Sequence, residues 1–222
     1  MKVVVLASAK GGVGKTTLAA HLAVHSEAAG TGPVVVFDTD PQGSLAAWWN
    51  ARAAEAPQFA TAALADLPAR LADLKAAGFG LAVIDTPPAM TEAIAAVVRL
   101  ADLVLVPSRP SPVDLRALGP TVDLVEAAGR PFAFVLTQAK AAARLTGQAV
   151  AVLSQHGPVA PSIICDRVDF AAAMTDGRTV GELDAKSRSA GEIRDLWLYV
   201  EACLGACLHA KTKARRKEMV HG

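Results

Sequence analysis

Residues 10–17 read Lys10-Gly11-Gly12-Val13-Gly14-Lys15-Thr16-Thr17, a combination suited to holding phosphate. Glycines let backbone N–H groups turn inward and approach phosphate oxygens closely. A helix opening near Lys15 adds the positive end of its dipole. Lys15 supplies a mobile cation for β- and γ-phosphates, and the Thr16 hydroxyl is a ligand type for Mg²⁺. The end of the run fits G-x-x-x-x-G-K-[ST]. Ala9 stands where the first glycine would fall, and an additional lysine occupies position 10.

Two acidic segments complete the set. Val34–Phe37 runs into Asp38-Thr39-Asp40-Pro41-Gln42-Gly43-Ser44. Residues two apart on an extended chain face the same side, so Asp38 and Asp40 are both expected to point at the metal and γ-phosphate region. Leu81-Ala82-Val83-Ile84-Asp85 is an apolar strand ending in aspartate, the Walker B arrangement, with the carboxylate near Mg²⁺.

These side chains need a scaffold that brings strand ends together. Continuous apolar, β-branched runs mark strands at Val3–Ala7, Val34–Asp38, Leu81–Asp85, Leu103–Pro107, Phe132–Thr137 and Pro161–Cys165. Such runs suit strands buried on both faces of a parallel sheet. Alanine-rich stretches between them predict helices over Lys15–Ala29, Ser44–Ala54, Leu64–Ala77, Thr91–Leu100, Pro112–Ala128, Thr146–His156, Asp169–Thr175 and Ala190–His209. Ser111-Pro112 is an N-cap followed by proline at the first helical position. Strand–helix alternation points to an α/β fold: a doubly wound, mostly parallel sheet with helices on both faces. One domain over 1–210 and a short basic tail over 211–222 is the expected organisation.

Composition excludes several classes. The chain has 222 residues with 52% hydrophobic and 19% charged, which argues against intrinsic disorder. Its mean hydropathy of +0.34 raises the question of a membrane span. The longest apolar candidate, Ala93 to Val106, is short and broken by Arg99 and Asp102. The N-terminal MKVVVLASAKGG turns into a glycine loop with no small-residue cleavage site, so it is not read as a signal peptide. Three cysteines make no secreted disulfide framework, and the expected compartment is the cytoplasm.

Charge is unevenly distributed. Residues 211–222 hold five Lys/Arg and one Glu, net +4, which leaves net −3 for the rest. The tail suits a solvated terminus or phosphate contacts on nucleic acid. A membrane anchor is disfavoured, because it needs bulky apolar residues on one face, whereas only Thr212 and Ala214 interleave the cations and just Met219 and Val220 follow. His21 and His25 lie four apart on the first helix but lack the H-E-x-x-H pattern, and are read as helix packing. Cys203 and Cys207 are read as a core face. One of Trp48 and Trp49 is expected in the core, with an exposed one at a dimer or partner face as the alternative.

Together KGGVGKTT at 10–17, DTDPQGS at 38–44 and VIDTPP at 83–88 resemble the ParA/MinD family of deviant Walker ATPases, above all the small ParA-type partition proteins. The likeness continues through Asp166-Arg167, Gly177-Arg178-Thr179-Val180-Gly181-Glu182 and Ala190-Gly191-Glu192-Ile193. The resemblance implies ATP held by Lys10, Gly11, Gly12, Val13, Gly14, Lys15, Thr16 and Thr17, with Thr137 and Gln138 near the adenine. It implies that Thr16 holds Mg²⁺ directly, Asp85 through water, and Asp38 supports the metal shell. Lys15, Asp40 and Lys10 form the implied catalytic set. Asp40 positions the attacking water, and Lys10 reaches across an ATP-dependent homodimer to the partner's phosphates. The implied function is segregation or positioning of plasmid or chromosome DNA. The ATP-bound dimer binds DNA non-specifically on the nucleoid, and a ParB-like or other small DNA-binding partner stimulates hydrolysis. Lys186, Arg188 and Arg194 are the DNA candidates beside Lys211, Lys213, Arg215, Arg216 and Lys217. The alternatives are a MinD-like, membrane-associated or other cargo-positioning ATPase, and an ATP-dependent amide synthetase. The size of the chain disfavours the synthetase.

Overall fold

The computed structural model describes residues 1–140 and 143–220, with side chains as far as residue 206. Six strands form one parallel sheet: β1 (Lys2–Leu6), β2 (Val34–Asp38), β3 (Gln58–Ala60), β4 (Leu81–Asp85), β5 (Leu103–Ser108) and β6 (Phe132–Leu136), in the order β3-β2-β4-β1-β5-β6. The doubly wound expectation holds. Along each central strand alternate residues enter opposite cores. Val4, Leu6, Val36, Val83 and Leu105 face one layer, whereas Val5, Phe37, Ile84, Val104 and Val106 face the other. That two-sided burial is why the strands read as unbroken apolar runs.

The first layer is made by α1 (Lys15–Ala28), α2 (Ser44–Asn50), α8 (Val168–Thr175), α9 (Val180–Leu183) and α10 (Arg188–Val220). The second takes α3 (Leu67–Ala76), α4 (Glu92–Arg99), α6 (Gly119–Ala127) and α7 (Arg144–Leu153), with the short α5 (Pro112–Arg116) before α6. The expected single helix Pro112–Ala128 is therefore two. Pro120 has no N–H for the carbonyl of Arg116, and its ring would clash there, so the first helix stops. Ser111 caps α5 as expected, its hydroxyl accepting from the Asp114 N–H at 3.2 Å.

Pro161–Cys165 is not a strand. It runs beside β6 through isolated bridges, Phe134 with Val159 and Ala139 with Cys165. The Ala160 N–H reaches the Phe134 carbonyl and the Ile164 N–H the Leu136 carbonyl, so four residues here span two of β6. Pro161 lacks a donor within that stretch, and a regular ladder cannot form. The short β3 and α9 were not anticipated from sequence. α10 runs through residue 210, so the expected boundary with the basic tail falls inside a helix. The side chains of Cys207 and of the five tail cations lie outside the described residues.

The topology positions the site. Leaving β1 the chain winds outward to β2 and β3. It returns to insert β4 beside β1 and then winds the other way. The three motif segments follow the carboxyl ends of the adjacent strands β2, β4 and β1. Register sets Asp38 and Leu6 each opposite Asp85. A crevice at this kind of switch in winding is the general ligand position of open α/β sheets.

Candidate nucleotide site

The loop between β1 and α1 is shaped by glycine where the backbone demands it. Gly12 and Gly14 take φ of 71° and 86°, in the left-handed region that side chains disfavour. Buried Val13 anchors the loop from beneath. Three polar side chains hold it from outside. The Thr137 hydroxyl donates to the Val13 carbonyl at 2.8 Å, Gln138 Nε2 to the Gly12 carbonyl at 2.7 Å, and the Ala9 N–H to the Thr121 hydroxyl at 3.0 Å. Thr121 is fully buried and carried no sequence signal. Thr137 and Gln138 therefore brace the loop as well as lining the cleft above it.

That cleft has a volume of about 630 Å³. The loop glycines, Lys15, Thr16, Thr17, Asp40 and Gln42 form one side. Cys165, Asp166, Arg167, Phe170 and Met174 form the far wall, where sequence reasoning placed no site residue. This wall is tied to α10: Glu192 accepts from the Cys165 N–H at 2.9 Å and from Arg167 Nη2 at 2.8 Å.

Lys15 is buried, and Nζ donates to the Lys10 carbonyl at 3.0 Å. Burial pulls its pKa below the usual lysine value, against the carboxylates of Asp85 and Asp40. Lys10 is not among the cleft-lining residues. Its charge helps hold the Asp114 carboxyl below the usual range; burial pushes that group up, and hydrogen bonds from Arg109 and Ser111 outweigh the burial.

The two aspartates at and just beyond the end of β2 take different roles. Asp40 lines the cleft. Asp38 turns to the loop, accepting the Asp40 N–H at 3.0 Å and the Ala46 N–H at 2.9 Å. The i, i+2 rule fails because the strand ends at Asp38 and the chain turns. Asp38 still lies close enough to Asp85 to raise its pKa.

Asp85 is 1% exposed. Its Oδ2 accepts from the Thr16 hydroxyl at 2.5 Å, and its Oδ1 is buried without a partner. Burial, with Asp38 and Asp40, pushes the carboxyl up to about 7 against the Thr16 bond and Lys15. A buried carboxylate oxygen without a donor, beside a threonine hydroxyl, suits a hard divalent cation such as Mg²⁺. His21 is buried in the first layer, its Nδ1 2.7 Å from the Thr17 carbonyl and its ring centroid 5.2 Å from that of Phe170.

The profile of the CobQ/CobB/MinD/ParA nucleotide binding domain matches residues 4–180, which carry the whole of this loop-and-carboxylate arrangement. The chain belongs to that family.

Among relatives, a Maintenance of carboxysome distribution protein A from Gloeobacter kilaueensis is 44% identical over 123 residues, 54% of this chain and 55% of that protein. A protein of the same name from Halothiobacillus neapolitanus is 29% identical over 84% of this chain and 90% of its own. A Protein ParA from Rhizobium radiobacter is 33% identical over 56% of each chain. The matched region thus spans little more than half of the first and third relatives. In fold, MinD cell division protein from Aquifex aeolicus gives a TM-score of 0.75 at 18% identity over 91% of this chain and 97% of that one. Apo McdA from Cyanothece gives 0.73 at 20% identity over 92% and 99%.

Trp48 is the core tryptophan, as expected for one of the pair. Trp49 is half-buried and packs on Phe59 with centroids 5.5 Å apart. Lys186, Arg188 and Arg194 are exposed at the entry to α10 and are not among the cleft-lining residues. Among the described residues, no helix is long and apolar enough to cross a membrane.

Proposed function

We propose that the chain is a ParA-type ATPase that closes into a dimer on ATP, binds DNA without sequence preference and uses hydrolysis to position a cargo. The observation that carries this reading is the division of labour between two lysines of one loop. Lys15 is buried, while Lys10 is half-buried and not among the cleft-lining residues, which in this reading leaves its ammonium for a facing copy. Juxtaposing two sets of phosphates concentrates negative charge, and an outward lysine from each copy offsets it.

In this reading Lys15 releases the Lys10 carbonyl and takes the β- and γ-phosphate oxygens. The backbone N–H groups of residues 11–16 cradle the phosphates, and Asp40 orients the attacking water. Thr16 and Asp85 would hold Mg²⁺, which when bound neutralises phosphate charge. Thr137 and Gln138 keep the loop in register beneath the nucleotide. Two of the relatives above are named for carboxysome distribution and one is named ParA, which favours a positioning role whose cargo is a protein assembly or DNA. A small DNA-binding partner that stimulates turnover completes the reading.

Light scattering with Asp40→Ala plus ATP, and co-sedimentation with DNA or liposomes with and without ATP, test it. The expectation is a dimer that pellets with DNA only when ATP is present. A chain that stays monomeric at high concentration with ATP, or that pellets with liposomes instead, overturns it.

A further inference from the structure

The helix that follows Asp40 is fastened at its far end. α2 stops at Asn50, and two residues later the Arg52 side chain is only 2% exposed. Its guanidinium forms a two-pronged pair with Glu182, Nη2 to Oε1 at 2.7 Å and Nη1 to Oε2 at 3.1 Å. It also donates to the carbonyls of Gly177 at 2.6 Å and Ala56 at 2.7 Å, and lies 5.0 Å over the Trp48 ring. The Trp48 indole N–H donates to the Arg178 carbonyl at 3.1 Å. Glu182 also accepts from the Thr179 N–H at 2.8 Å and its hydroxyl at 2.9 Å, completing a capping box on α9. Gly177 admits this contact only as glycine. A Cβ there would stand 2.4 Å from the Arg52 backbone nitrogen, and its φ is +76°. A bidentate, desolvated arginine of this kind is a directional joint, unlike the mobile ion pairs of protein surfaces.

The two segments so joined both border the cleft. α2 begins at Ser44, which lines the cleft with Asp40 and Gln42. The Asp38 carboxylate binds the Asp40 and Ala46 N–H groups, so the loop and the first turn of α2 form one piece. On the other side α8 lines the cleft with Phe170 and Met174 and ends at Thr175, just before Gly177.

We propose that Arg52 and Glu182 are a positioning pair, joining α2 to the α8–α9 turn so that the Asp40 carboxylate is held at its working distance from the far wall of the nucleotide cleft. The proposal rests on the nucleotide reading above. Neither residue touches nucleotide. Their effect falls on groups that meet the γ-phosphate and the attacking water, and spares the loop that grips the α- and β-phosphates.

Glu182→Gln keeps the size and an acceptor for Thr179 but removes the charge. Arg52→Lys keeps the charge but not the fork. Each is compared with wild type for melting temperature, ADP affinity, the kcat and KM of ATP turnover, and tryptophan emission on adding ATP or ADP. The expected result is ADP affinity within about twofold of wild type and kcat about tenfold lower with KM little changed. Arg52→Lys is expected to retain more turnover than Arg52→Ala. Wild type gives an emission change with ATP that ADP does not produce. Both variants lose it, and so does Trp48→Phe. Folded variants with lowered melting temperature but wild-type kcat and emission overturn the proposal, because the pair then serves only stability. Equal losses of ADP affinity and kcat also overturn it, because the whole cleft has then loosened. A wild-type chain that binds no nucleotide removes the nucleotide reading and this one together. Active wild type with unaffected variants removes this one alone.

Discussion

Asp85→Asn separates stability from function at one atom. Asp85 is almost wholly buried, one oxygen bonded to Thr16 and the other without a partner. Burial, aided by Asp38 and Asp40, raises its pKa from 3.8 to about 7. A carboxyl whose folded pKa is raised holds its proton more tightly when folded. Its penalty is absent below about pH 4, grows as pH rises, and levels off above about 7. At about 1.4 kcal/mol per unit, a shift of roughly 3 units gives a penalty on the order of 4 kcal/mol at pH 8. Asparagine is nearly isosteric and carries no charge. Without nucleotide, Asp85→Asn should therefore be more stable than wild type by a few kcal/mol at pH 8, with the gap closing towards pH 4. Urea unfolding across that range measures it. Mg²⁺ and ATP should narrow that gap. A ligand at 100 times its dissociation constant adds about 2.7 kcal/mol to the native state, and only wild type retains the carboxylate that favours it. A pH-independent gap would refute the burial argument. Equal stabilisation of both proteins by Mg²⁺ and ATP would refute the assignment of Asp85 to the metal.

Four other outcomes are expected. Lys15→Ala should lose tight ATP binding, whereas Lys10→Ala should keep it and weaken the ATP-dependent dimer; calorimetry and light scattering distinguish the two. Asp40→Ala should bind ATP and fail to turn it over, and a wild-type rate would remove its role. Burial lowers the His21 pKa from 6.5 to about 4, so its contribution to stability is present above about 6.5 and lost as pH falls towards 4, on the order of 3 kcal/mol in all. Asp85 acts oppositely over this range, so the wild-type minus His21→Leu difference in urea unfolding is the quantity to read, and a flat difference counts against it. Deleting 211–222 should lower DNA affinity and flatten its salt dependence while nucleotide binding stays unchanged; unchanged affinity would move the DNA site onto the body.

Sequence was most legible where chemistry and periodicity coincide. The five long strands announce themselves because both faces are buried, so an apolar run needs no phase. The phosphate loop is legible because a Gly-Lys-Thr sequence between strand and helix has few other uses. Asp38 shows where this stops. Its spacing from Asp40 suggested a shared target, but the turn at the strand end sends its oxygens to two backbone N–H groups. β3 was missed because three residues, Gln58–Ala60, carry too little pattern to compete with the alanine-rich stretches around them. The helix break at Ala117-Leu118 was legible in principle, since Pro120 removes the donor owed to the Arg116 carbonyl, but the surrounding periodicity masked it.

The harder omission is of a different kind. Thr121, Glu192 and Arg52 work through partners 112, 27 and 130 residues away, so no local window contains both halves of the interaction. Only the sheet order brings those halves together: the winding from β1 to β5 and β6 carries Thr121 to the loop, and the far wall arrives after β6 with α8. Side chains that could meet nucleotide are visible in sequence because phosphate chemistry permits few residue types at set spacings. The side chains that hold them in place can be any hydrogen-bonding residue of the right reach, and nothing local marks them. For this chain the split has a consequence. Substitutions at Lys15 and Asp40, in the legible set, should abolish nucleotide binding or turnover outright. Substitutions in the illegible set should leave a folded protein that still binds nucleotide but turns it over more slowly, because a carboxylate misplaced by about 1 Å can lose on the order of a hundredfold in rate while the ground-state contacts survive.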